Sequence, residues 1–140
     1  MITTRRTGTA AALAAVLVLG SALPAAATVN WTVDNFSQCS GSCRQGAARG
    51  TITWGNRTAY VSGTVTDVAG DLHTTVTFDA YAGNTLVDHQ TRTASVTTKP
   101  YGFPIGDPDL VGGVNRVLIE VCTATLGLDS CSGWSEERRD

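Results

Sequence analysis

The chain has 140 residues, 42% of them hydrophobic and 16% charged, with a formal net charge of −2. Phosphate backbones and anionic lipid both require clustered Lys and Arg, and the ten basic residues here are scattered. Neither nucleic acid nor a membrane surface is therefore expected as a partner.

Residues 1–27 read as an export tag. Arg5 and Arg6 give a short basic start, residues 10–19 are an unbroken apolar run, and Ala25 and Ala27 occupy the small-residue positions that a signal peptidase needs. The run is too short for a permanent membrane helix. No Cys stands at the cleavage point, so no lipid anchor or membrane contact is expected after cleavage. Removing 27 of the 140 residues leaves 113, enough for one domain with a real core. That mature part carries eight basic residues against twelve acidic ones, a net charge of −4. Arginine and alanine in excess over lysine suggest a high-GC bacterial gene. On that reading the acceptor triplets at Asn30, Asn35 and Asn56 carry no glycans.

From Thr28 onward the chain reads as β-structure. Val29, Trp31 and Val33 alternate with polar residues and form an N-terminal strand or arm. Residues 38–50 show no alternation and contain Cys39 and Cys43. They read as a stapled loop that completes a leading unit, 28–50, ahead of a body spanning 51–135. Ile52 and Trp54 open that body, Gly55-Asn56 turns the chain, and residues 59–67 place Ala59, Val61, Gly63 and Val65 on one face with Tyr60 on the other. After a loop at 68–72, residues 74–81 direct Val76, Phe78 and Ala80 inward. Ala82-Gly83-Asn84 is the next turn. Residues 86–96, with Asp88, His89, Gln90 and Arg92, have the polarity of an edge strand. Residues 98–114 hold three prolines and four glycines and read as a long insertion of the kind that carries function. Residues 116–124 are apolar on both faces, as in a central strand. Residues 131–135 are the last candidate strand, and 136–140 form a charged tail expected to fray.

Six or seven short strands with no helical period predict an all-β fold. The architecture expected is one antiparallel β-sandwich, immunoglobulin-like in outline. Four cysteines in a small exported chain predict two disulfides; of the three possible pairings, none fixed by sequence alone, Cys39–Cys43 with Cys122–Cys131 is favoured because each pair is joined by a turn-forming stretch. The alternative, a zinc site, would need ligand spacings other than Cys-x3-Cys and Cys-x8-Cys.

The candidate chemistry is thin. His73 and His89 are the only histidines, and each follows an aspartate too closely in sequence to be oriented by it. There is no G-x-S-x-G elbow. Asp79 and Glu120 sit in mid-strand but are expected to face solvent rather than each other across a sugar cleft. Asp107 and Asp109, like the 67–71 loop, are oxygen-rich without the ligand density of a calcium site. No enzyme, metal or cofactor is expected. The remaining resource is aromatic. Tyr101 and Phe103 in the Pro-rich insertion, with Trp31 on the arm, are the expected binding residues.

The expectation is a secreted, non-catalytic binding or adaptor module whose partner is a protein. A peptidase inhibitor presenting a rigid loop is one alternative. Another is a small adaptor subunit of a secreted toxin complex, docking through residues 28–36. In size, export and two-disulfide β-sandwich character the chain also resembles the secreted apoproteins that hold enediyne chromophores. That resemblance implies a small-ligand carrier; the cysteines sit differently and no motif is shared, so no residue role is carried over. The sequence does not set the oligomeric state.

Overall fold

The structure is a computed structural model that describes residues 31–41, 43–68 and 73–140. The expected export tag, residues 28–30 of the expected arm and most of the 68–72 loop lie outside these. Among the described residues nine strands follow in order: β1 (Val33–Cys39), β2 (Gly46–Trp54), β3 (Ala59–Asp67), β4 (His73–Ala82), β5 (Thr85–Ala94), β6 (Thr98–Ile105), β7 (Arg116–Ala124), β8 (Ser130–Cys131) and β9 (Ser135–Arg138). All the pairings are antiparallel. One sheet has the order β1-β2-β3-β6; the other runs β5-β4-β7-β8, with β9 also paired to β7. The two sheets pack face to face as a sandwich, and both expected disulfides are formed.

Alternation decides which side chains enter the core. Ile52 and Trp54 of β2, Val61 and Val65 of β3, Val76, Phe78 and Ala80 of β4, and Val117, Ile119 and Val121 of β7 are all buried. β7 is central, as its apolar character on both faces requires, and β5 is an edge.

Three expectations are corrected. The stretch 38–50 is not one loop. Only its Cys39–Cys43 end turns, and Gly46 onward pairs with β1 on one side and β3 on the other. β1 is accordingly part of the sandwich, with Phe36 in the core. The stretch 98–114 is not one insertion. Its first half is edge strand β6, antiparallel to β3 from Thr98 to Ile105. Pro100 and Pro104 misled the reading, since an edge strand tolerates proline where its missing N–H faces outward. Finally, the tail does not fray: β9 pairs with β7, Leu118 opposite Glu136 and Val117 opposite Glu137.

The core centre rests on one rung. Phe36, Gly50, Gly63 and Tyr101 lie opposite one another across β1, β2, β3 and β6. The two glycines leave a slot between the flanking rings, and Phe78 of the other sheet fills it. Its ring makes edge-to-face contacts with Phe36 at 5.7 Å, Tyr101 at 5.6 Å and Phe103 at 5.5 Å. A Cβ at Gly63 would collide with the Arg49 carbonyl, and one at Gly50 with the Ser62 carbonyl.

One end of the sandwich is closed by buried polar groups. Ser40 Oγ lies 2.6 Å from Thr123 Oγ1, which lies 2.9 Å from Thr74 Oγ1. The Thr74 hydroxyl donates to Asp67 Oδ1 at 2.6 Å, and the Val96 N–H donates to Asp67 Oδ2 at 2.7 Å. Each of these buried groups is thereby satisfied.

Candidate functional site

Tyr101 and Phe103, expected on a surface loop, face inward from β6. Phe103 is buried at 7% exposure, with the Arg92 guanidinium 3.9 Å from its ring centroid. The Tyr101 hydroxyl is buried without a hydrogen-bond partner among the described residues, and burial pushes its phenol pKa up. β6 alternation sends 101, 103 and 105 toward Phe78 and leaves Pro100, Gly102 and Pro104 outside.

Trp31 is placed differently. It precedes β1 at the end of the sandwich opposite the polar cluster and is 45% exposed. The chain beside it is tied down, because the Thr32 carbonyl accepts the Trp54 N–H at 2.9 Å. Tyr60 of β3 is 50% exposed on the outer face of the four-stranded sheet, opposite Pro104. Its hydroxyl end overlies Gly102, where a Cβ would come within 2.7 Å of the Tyr60 oxygen. Trp31, Tyr60 and Pro104 rim an apolar notch of about 210 Å³ floored by Trp54. A second cleft of about 360 Å³ is also lined by Trp31, Trp54 and Gly55, together with Asn56, Gly112 and Asp140.

The floor is held rigidly. Trp54 is 1% exposed, and its indole N–H donates to Asp34 Oδ2 at 2.5 Å. Arg139, in the tail expected to fray, donates to the carbonyls of Gly55 at 2.9 Å, Asn56 at 3.1 Å and Gly112 at 3.1 Å. One planar fork thus ties the β2–β3 turn to the connection between β6 and β7. The Arg57 carbonyl accepts the Val114 N–H at 2.9 Å, which adds a second tie between the same segments.

Tyr60 was legible as outward-facing from the alternation of β3. The roles of Pro104, Arg139 and Asp140 were not, since each depends on segments that are distant in sequence.

The other candidate groups do different work. His89 Nδ1 lies 2.6 Å from Asp79 Oδ1, a pairing the sequence neighbours of His89 did not suggest. The His89 side chain is 56% exposed on the outer face of the sheet. Threonines flank the pair in register, with Thr77 opposite Thr91. Glu120 gathers with Cys122 and Cys131, but those two sulfurs are bonded to each other. Asp107 Oδ1 accepts the Asp109 N–H at 2.9 Å, the self-capping of an Asx turn.

Fold and site together define a disulfide-stapled β-sandwich with a rigid aromatic end. Comparison with family models, curated proteins and solved structures finds no match to this chain.

Proposed function

We propose that the chain is a secreted, non-catalytic recognition module that holds a protein partner against its Trp31 end. The observation that carries this reading is a half-exposed Trp31 and Tyr60 set on a floor fixed by Trp54, Asp34 and Arg139. Exposed Trp and Tyr in a preorganised setting supply large contact area at low entropic cost, which is how interface hot spots work. The two disulfides are consistent with an oxidising compartment, and the leader read in residues 1–27 supports export. Bacterial origin stays an inference from the excess of Arg over Lys.

The test is affinity capture from the culture medium of the host with the wild-type chain and with Trp31→Ala. A partner retained by the wild type and lost by the variant supports the reading. Equal retention by both, or no retained protein, overturns it.

A further inference from the structure

We propose that the Trp31 end takes an extended, proline-containing peptide with a neighbouring basic residue. This rests on the recognition-module reading and names the class of ligand. Three properties of the surface lead there.

The first is shape. Trp31 lines two small clefts, of about 210 and 360 Å³, which also share Trp54 and Gly55. A polyproline II helix presents its side chains at regular spacing and docks in aromatic-lined grooves, so successive prolines suit two small clefts that share an indole. A globular surface would instead need a broad, flat patch.

The second is hydrogen bonding. Trp31 Nε1 and the Tyr60 hydroxyl are donors carried by the aromatic rings at the rims, beside the Thr32, Thr53 and Thr58 hydroxyls and the Asn56 amide, and among the described residues neither ring donor has a hydrogen-bond partner. An indole N–H only donates. Proline-rich chain has carbonyl acceptors at every residue and few N–H groups of its own. Such a ligand matches a donor-bearing aromatic rim.

The third is charge. The Arg139 guanidinium is committed to the carbonyls of Gly55, Asn56 and Gly112, whereas Asp140 rims the larger cleft and is in no ion pair among the described residues. Its carboxylate complements a Lys or Arg beside the prolines.

The probe is a synthetic peptide of ten prolines with two arginines at one end. Its controls are a glycine–serine peptide with the same arginines, the proline peptide with two glutamates, and cellohexaose. Binding is read from the backbone amide resonances of Thr32, Gly55, Asn56 and Tyr60 in the isotope-labelled, disulfide-intact protein and its variants, with the Trp31 indole N–H as an added reporter in the wild type. We expect saturable binding of the arginine–proline peptide with Kd on the order of 100 µM. Trp31→Ala should weaken it about tenfold or more. Tyr60→Phe, which keeps the ring and removes only the donor, should weaken it about threefold. The glutamate peptide should bind less tightly.

The inference is overturned by absent saturation, by equal binding of the glycine–serine peptide, by an unchanged Trp31→Ala variant, or by cellohexaose titrating the indole in place of the peptide. Trp31-dependent capture of a protein partner alongside failure of the proline peptide would remove this inference and leave the recognition-module reading standing.

Discussion

Val96 is a β-branched residue with φ of 52°, a left-handed conformation it adopts only under constraint. The constraint is Asp67, whose carboxylate accepts the Val96 N–H in the turn between β5 and β6. The side chain itself is 62% exposed, so nothing is lost from the core by removing it. Val96→Gly should stabilise the protein by about 1 kcal/mol, since the relief of left-handed strain exceeds the added unfolded-state entropy of glycine. Urea unfolding measures it, and a loss of stability would show that the turn is not strained. Glu137 offers a second residue-scale test. Partial burial, and then the nearby Asp34 carboxylate, raise its pKa above the ordinary glutamate value. A raised carboxyl pKa means that the folded state binds its proton more tightly than the unfolded state does. This contribution is present at pH below the unfolded value and is lost as pH rises through the folded one. Glu137→Gln should therefore raise Tm at neutral pH and leave it nearly unchanged in acid, by thermal melts across that range.

Among the elements, β5 shows how a single irregularity sets side-chain partners. The hairpin starts with Ala82 opposite Thr85 and Tyr81 opposite Leu86, then skips Val87 so that Ala80 faces Asp88 and Asp79 faces His89. Without the bulge Asp79 would stand opposite Asp88, two carboxylates in direct register, which destabilises a sheet. With it, Asp88 is free to accept the Gly106 N–H at 2.9 Å and the Gln90 side-chain amide at 3.2 Å along the side of the core. The polarity of this strand was legible in the sequence as an edge signal; the bulge was not, because no glycine or turn residue marks it. β9 is the converse case. Ser135, Glu136, Glu137 and Arg138 carry no β signal, and they pair because β7 has an open edge beyond β8. Removing residues 135–140 should cost about 3 kcal/mol, from ladder hydrogen bonds worth about 1 kcal/mol each and the loss of the Arg139 fork. Guanidinium unfolding checks this, and unchanged stability would mean that the tail is dispensable to the fold.

For the molecule as a whole, stability converges on the slot that Phe78 fills. Gly63→Ala adds one methyl but drives it into the Arg49 backbone, and it should cost about 2 to 3 kcal/mol, an overpacking penalty. Phe78→Ala should cost about 3 to 5 kcal/mol by leaving a cavity among three rings. Denaturant midpoints for the two variants test both values. A neutral Gly63→Ala would show that β2 and β3 are not held at this spacing. The same packing explains why Tyr101 and Phe103 were misplaced from sequence. Proline and glycine beside them read as a loop, and only the pairing of β6 with β3 turns their rings inward.

Local chemistry in the chain by itself determined the β character, the boundaries of β3 and β7 and the inward face of β4, and it favoured the cysteine pairing that the structure shows. Alternation and turn residues act within a few positions, and the sequence displays them directly. The tertiary structure decided which residues remained outside. Trp31 is a surface aromatic because it lies ahead of β1, and Tyr60 because β3 turns it to the outer face of its sheet, while Phe103 is core because Phe78 reaches it. Burial depends on what arrives from distant parts of the chain, and local pattern carries no record of that.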